Sequence, residues 1–563
     1  MSRPRAIGSA DLVLVAVLAG GLGLCLVVWS WGQLAGLVFA GGWPHVALEQ
    51  IPGVLWRLPS RVAQPADAWP AAVRRELPRA AEFYVLLGPL VIAAAAVAIG
   101  LLRLAGSEAD APHAPARWAR ASELRELSRR WRRGTGPRLG LGRARGRLLR
   151  AERRHALVVF GPPQAGKSAG LAVPALLEWE GPVIASSIKT DLLDASIDRR
   201  RSLGPVLIFD PFELSGRPAH AWSPLAGAAT WDGALEAAWR LASAGELDQR
   251  RVEGGEFWAV AAEQRLAPLM YAAAGTGAGM DRVVRWAYGQ DPRELDATLR
   301  RLADGAPDEA RLIDARAAYD AARAFEAQAD RTRSSIEGTA QVLLRAYRFN
   351  RVARAAALDE ITPAALLDHG ATLYLVGDAK ASKLLRPIFI ALISEIVDRA
   401  YERATRAGGR LERPLLVCLD EAGNVAPLPN LAEIASTAPS HDIQLISVFH
   451  DLAQARSRYG QQAETVINSH RARMLLPGVA DLETLRYFSG LTGETDVRDL
   501  TRTSGSGGTT RSIARRSRPL LAPEALRQLR DGRALLLYGR LPPIELRLRL
   551  WFEDRRLRGL ARR

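Results

Sequence analysis

The stretch "HALVVFGPPQAGKSAGLAVPALLEW", residues 155–179, restricts the fold more than any other part of this chain. His155–Phe160 is a short apolar run rich in β-branched residues and predicts a buried strand. "AGLAVPALLEW" has helical length and apolar content, with Pro174 as an internal oddity. Between them lies Gly161–Ser168, the pattern G-x-x-x-x-G-K-S in its required strand–loop–helix setting. Gly161 and Gly166 allow the loop, spanned by Pro162, Pro163, Gln164 and Ala165, to fold around an anion. Amide N–H groups and the helix N-terminus then face that anion. Lys167 supplies a compact charge for the β- and γ-phosphates of a nucleotide, where a guanidinium fork would not fit. Ser168 offers its hydroxyl to Mg²⁺. ATP and Mg²⁺ are therefore the expected cofactors.

Such a loop needs a carboxylate partner. "PLLVCLDEAGN", Pro414–Asn424, is an apolar strand ending in Asp420 and Glu421. Asp420 would hold the Mg²⁺ shell and Glu421 would orient or deprotonate the attacking water. In isolation an acidic pair at a strand end equally suits a helix cap; the upstream loop favours catalysis. Further strands are expected at Val183–Ile188, Val206–Phe209, Leu373–Val376, Ile443–Phe449, Arg473–Pro477 and Ala534–Tyr538. Helical patterns alternate with several of them, which predicts a doubly wound α/β core, a RecA-like P-loop ATPase over 155–229 and 355–555. Between Thr230 and Arg354 the strand signals stop and Ala, Arg, Glu and Leu repeat at helical spacing, so 230–354 is expected to be an all-helical insertion.

Lys and Arg number 76 against 60 Asp and Glu, a net charge of +16, and only four of the basic residues are lysine. That balance favours an acidic partner, nucleic acid or an anionic membrane face, although arginine-rich composition alone is weak evidence. The two cysteines, Cys25 and Cys418, have no metal or disulfide spacing.

Residues 1–105 are expected to be a membrane anchor. Leu12–Trp31 and Tyr84–Leu102 are long and apolar enough to cross a bilayer. A cleaved signal peptide behind Arg3 and Arg5, and a buried soluble helix, are the respective alternatives. Arg103, Arg117, Arg120, Arg125, Arg129, Arg130, Arg132 and Arg133 follow the second run and favour the cytoplasm for that side, but the intervening loop also carries Arg57, Arg61, Arg74, Arg75 and Arg79; the nucleotide site settles the orientation, because ATP is cytoplasmic, and a multi-pass membrane protein is expected. Residues 106–154 are expected to be a basic juxtamembrane linker touching lipid or DNA, and 556–563 a basic tail. Thr501–Arg518, Gly/Ser-rich and then basic, suits a mobile loop or one that touches DNA.

Two spans, a basic juncture, a split core and a helical insert together resemble the type IV secretion coupling proteins, the membrane ATPases of conjugative DNA transfer. The residues carrying the resemblance are Gly161–Ser168, "SIKTDLL" at 187–193, "FDP" at 209–211, "LYLVGD" at 373–378 and, above all, 415–460 around Asp420. The resemblance implies a homo-hexamer, sequence-independent DNA binding, a relaxase or other secreted substrate, and secretion-channel subunits as partners. It implies that Lys189 and Asp191 lie beside the nucleotide. It also places His450 where the family commonly has a γ-phosphate-sensing Gln, and leaves Arg331, Arg333, Arg471 and Arg473 as substitutes for a trans-acting arginine. A cell-division-type DNA translocase and a docking receptor that binds ATP without hydrolysing it remain the alternatives.

Overall fold

Seven short apolar segments pair in parallel because each is buried on both faces, which demands helices above and below. The computed structural model describes residues 9–105, 115–128, 138–152, 155–249, 255–505 and 508–562. It contains two compact units, Met1–Ala114 and Pro115–Arg563. Arg3, Arg5, Arg129, Arg130, Arg132, Arg133, Arg153 and Arg154 lie outside the described residues, as do the side chains of Arg103, Arg511 and Arg515.

The strands are β1 (Gly140–Ala144), β2 (Arg147–Arg150), β3 (Leu157–Phe160), β4 (Val183–Ser187), β5 (Val206–Phe209), β6 (Thr372–Val376), β7 (Leu415–Leu419), β8 (Ile443–Phe449), β9 (Ala472–Leu475), β10 (Glu494–Gly505), β11 (Gly508–Pro519), β12 (Arg533–Tyr538) and β13 (Ile544–Arg547). Eleven of them form one sheet in the order β2-β1-β13-β12-β9-β3-β8-β7-β4-β6-β5. From β9 to β5 every pairing is parallel; from β9 to β2 every pairing is antiparallel. Side chains alternate between two cores: Val158 and Phe160 of β3 face one, Leu157 and Val159 the other. Among the described residues no strand lies between β5 and β6, and helices run from Trp231 to Arg354.

Three segments differ from expectation. Part of 106–154 belongs to the sheet: β1 and β2 form a hairpin that pairs with β13 through Arg143 and Arg547. Leu139, Leu141 and Leu149 are buried there while arginines point outward, an alternation masked by the dense positive charge. Thr501–Arg518 lies in the β10–β11 hairpin, paired in register from Glu494↔Pro519 to Gly505↔Gly508. The basic tail is the helix Arg555–Ala561, anchored by fully buried Leu557.

In the first unit both apolar runs are helical, Ser9–Ala35 and, after the short helix Ala80–Val85, Leu87–Ala105. By length and composition Gly21–Ala40 and Ala80–Val97 could each cross a membrane. The segment between them packs back on the first helix, where Trp31, Trp69 and Phe83 meet edge to face.

His470, fully buried just before β9, bonds the Val466 carbonyl and Ser447 Oγ. Burial pushes its imidazole down to about 4. The unfolded ring takes up a proton near 6.5 and the folded ring near 4, so stability is lost as pH falls through that window. The expected loss is up to about 3 kcal/mol from this residue. Thermal melts of the full chain against pH should show it, and His470→Gln should flatten the slope; an unchanged slope would assign the acid sensitivity elsewhere. His155, also held down to about 4 by burial and by Arg471, should account for part of the remainder.

Candidate active site

The C-terminal ends of β3, β8 and β7, three neighbours in the sheet, carry the site. The turn after β3 is fixed by Gly161 N–H donating to the Phe449 carbonyl of β8. A side chain at Gly161 would press on Leu476 at 3.0 Å, so glycine is needed for close approach. Gln164 and Gly166 both adopt left-handed backbone, with φ of 67° and 85°, which turns successive N–H groups inward. Ser168–Ala172 then forms a π-helical turn leading into the helix Val173–Glu178. Pro174 has no N–H to give the Gly170 carbonyl, and the wider turn accommodates it. Behind the loop, Gly170 packs against Leu548 and the Ala169 carbonyl accepts from Trp551 N–H. At the far end of the helix buried Arg200 donates to the carbonyls of Leu176, Trp179 and Gly181.

Lys167 is buried, and its Nζ donates to the carbonyls of Gly161 at 2.7 Å and Pro162 at 3.0 Å. Burial pushes its ammonium down, opposed by the charges of Glu421 and Asp420. Ser168 Oγ donates to Asp420 Oδ2 at 2.6 Å. The other oxygen, Asp420 Oδ1, is buried without a hydrogen-bond partner. An orphaned carboxylate oxygen beside a serine hydroxyl fits a Mg²⁺ that takes few protein ligands and keeps the rest for phosphate and water. Burial raises the Asp420 carboxyl to about 7, with Glu421 and Asp191 adding to the rise and Ser168 opposing it.

Glu421 differs. Burial acts to raise its carboxyl, yet the hydrogen bond and charge of His450, the bond from Asn424 and the Lys167 charge hold it below the usual range. Its Oε1 lies 3.0 Å from His450 Nε2, and its Oε2 accepts from Asn424 Nδ2 at 2.8 Å. His450 N–H in turn donates to Gln454 Oε1, and Gln454 packs on Gly423. Two adjacent carboxyls thus have their proton affinities driven apart, the condition for separate roles.

Lys167, Ser168, Asp420, Glu421 and His450 are therefore brought together. Asp191 opens the helix Asp191–Arg201 close enough to raise Asp420 electrostatically, whereas Lys189 is exposed just before it. Pro163 and Gln164 are exposed and Ala165 and Gly166 half-buried along the loop. Arg333, Arg471 and Arg473 are engaged within their own chain, with Asp330, Glu152 and the Asn468 carbonyl respectively. Sequence reasoning misses Asn424 and Gln454; Asn424 lies within the quoted DEAGN motif, three residues after Glu421 in the turn that follows β7.

Residues 117–561 match the family described as type IV secretory system conjugative DNA transfer. The chain belongs to that family. Among its relatives, the conjugal transfer protein TraG of Escherichia coli is 25% identical over 413 residues, 65% of this chain and 60% of TraG. Protein VirD4 of Rhizobium rhizogenes is 24% identical over 464 residues, 80% of this chain and 67% of VirD4. The matches thus span about two thirds or less of these relatives' own length. In fold the chain is similar to the bacterial conjugative coupling protein TrwB lacking its N-terminal segment, with a TM-score of 0.56 at 18% identity over 78% of this chain and 95% of that one. TrwB solved with ADP and Mg²⁺ superposes with a TM-score of 0.54 at 16% identity, over 78% of this chain and 94% of that one. The present chain surrounds its second carboxylate with His450 and Asn424.

Proposed function

We propose that this chain is the membrane-bound ATP hydrolase of a conjugative or type IV secretion system. It receives DNA with a relaxase, or another secreted protein, at the cytoplasmic face of the inner membrane and drives it toward the channel. The observation that carries this reading is the convergence of Lys167, Ser168 and Asp420, with Glu421 beside them, in a chain of the conjugative DNA transfer family. The ADP and Mg²⁺ bound by TrwB support ATP and Mg²⁺ as the cofactors here. The two apolar helices of the first unit support a membrane anchor.

The roles follow from the geometry. Lys167 exchanges its two carbonyl partners for the β- and γ-phosphates, with backbone N–H groups of Gln164–Ser168 completing the cradle. Asp420 and Ser168 would hold Mg²⁺, which when bound would offset the negative charge developing on the phosphates. Ionised Glu421 orients a water and accepts its proton at Oε1 or Oε2 once His450 or Asn424 gives way. Lys189 and Asp191 stand at the end of the neighbouring strand β4, beside the nucleotide. As a homo-hexamer each site would lie at a subunit boundary, so hydrolysis could shift one subunit against the next.

The test is ATP turnover by the full chain in detergent, with and without single-stranded DNA. Hydrolysis that rises several-fold with DNA is the expected result. ATP binding without turnover would favour a docking receptor.

A further inference from the structure

The turns after β7 and β8 meet at one side chain, Gln454. Its Oε1 accepts from His450 N–H at 2.7 Å, and its amide carbon lies 2.9 Å from where a side chain at Gly423 would begin. Gly423 immediately precedes Asn424. Gln454 therefore fixes the backbone beside both partners of Glu421, His450 and Asn424. Gln454 is itself fixed. Its N–H donates to Asp451 Oδ1 at 2.7 Å, in the N-terminal cap of the helix Leu452–Tyr459.

That cap is tied to a second helix. Leu452 N–H, at the first helical position, has no acceptor within its own helix. Thr484 Oγ1 accepts it at 2.9 Å and donates its own proton to Asp481 Oδ2. Leu452 and Thr484 are both buried, so water does not stand in for a lost bond there. Thr484 lies in the first turn of the helix Leu482–Thr492, which leads through Gly493 into β10. At that junction the Glu494 carbonyl accepts from Ala116 N–H at 2.7 Å, and Leu520 N–H donates to the Gly493 carbonyl at 2.9 Å. The root of the β10–β11 hairpin and the opening residues of the second unit thus converge on one end of this helix, and Thr484 stands at the other.

We propose that Gln454 and Thr484 are positioning residues for hydrolysis, which carry movement of the β10–β11 hairpin to the hold on Glu421. The proposal rests on the reading of Glu421 as the water-activating carboxylate. A helix of 11 residues moves as a rod of about 16 Å, so a displacement at Glu494 reaches Thr484. Buried Phe488, between them, packs edge to face on Phe160 at the end of β3 and serves as the fulcrum. Thr484 then shifts Leu452, and Gln454 shifts the turns that carry His450 and Asn424. Neither residue meets the nucleotide.

Thr484→Val removes the hydroxyl at nearly constant shape, and the Phe488 packing should keep the variant folded. In the full chain in detergent, kcat for ATP should fall about five- to tenfold with KM for ATP within about twofold, because the phosphate loop is untouched. Thr484→Ser should restore kcat. Amide deuterium exchange over 450–459 should rise in Thr484→Val and not in Thr484→Ser. A normal kcat in Thr484→Val would overturn the proposal, as would a joint change of kcat and KM that Thr484→Ser leaves unrepaired. The hairpin is tested by joining Thr495 to Arg518, partners in the ladder, through an Asn-Gly turn. This shortening should change turnover, and exchange over 450–459, much more in the unsubstituted chain than in Thr484→Val. The same factor in both backgrounds, or no change in either, would overturn the link. If the unsubstituted chain hydrolyses no ATP, the reading of Glu421 fails, while the exchange measurements on these chains still test the link.

Discussion

Lys167→Ala is expected to abolish ATP turnover, by about a thousandfold or more. Its ammonium is the buried cation inside the loop, held 2.7 Å and 3.0 Å from the Gly161 and Pro162 carbonyls. A methyl group leaves the transferring phosphoryl without that charge, and water cannot replace it at a preorganised position. The fold should survive. The loop is independently fixed by Gly161 N–H on Phe449 and by the packing of Gly170 on Leu548. Turnover and a thermal melt on the same preparation check both halves. A folded variant that still hydrolyses ATP at the normal rate would remove the nucleotide from this loop.

Glu421→Gln should slow hydrolysis by about a hundred- to ten-thousandfold while keeping ATP bound, because an amide is a poor base. The substitution is close to isosteric. The amide oxygen can still accept from Asn424 Nδ2, and the amide nitrogen can donate to His450 Nε2 in its unprotonated tautomer. Loss of rate would therefore report lost proton acceptance, not a disordered site. The measurement is single-turnover ATP cleavage beside equilibrium binding of ATP. A variant with normal cleavage would move water activation to another residue.

Much of this was legible because it is local. Eight consecutive residues, Gly161–Ser168, carry both the backbone freedom and the charge that a phosphate loop requires. The parallel strands β4 to β8 lie within a residue or so of their expected positions, because a strand buried on both faces is a continuous apolar run. The helical stretch after Thr230 was readable for the same reason, since its periodicity is contained in each helix. The hairpin β1–β2 was not. Its few buried leucines sit among arginines, and its stability depends on pairing with β13 some four hundred residues away. The β10–β11 hairpin, rich in Ser, Thr, Arg and Gly, has no apolar alternation from which to read a strand.

By itself the sequence determined the loop, the carboxylate pair, the helical stretch and the apolar runs, each a pattern within a few turns or one strand. Only the tertiary structure decided what they meet. Ser168 reaches Asp420 across 252 residues of chain because β8 is inserted between β3 and β7 and sets their spacing. The same insertion delivers His450 from the end of β8 to Glu421 at the end of β7. Arg386 comes beside Asn424 only in the tertiary structure, where the helix Ala379–Arg406 connects β6 to β7 with β4 between them in the sheet. Sheet order is a choice among pairings that similar apolar strands could all make, so no single segment encodes it. It is settled by how all the faces are buried together.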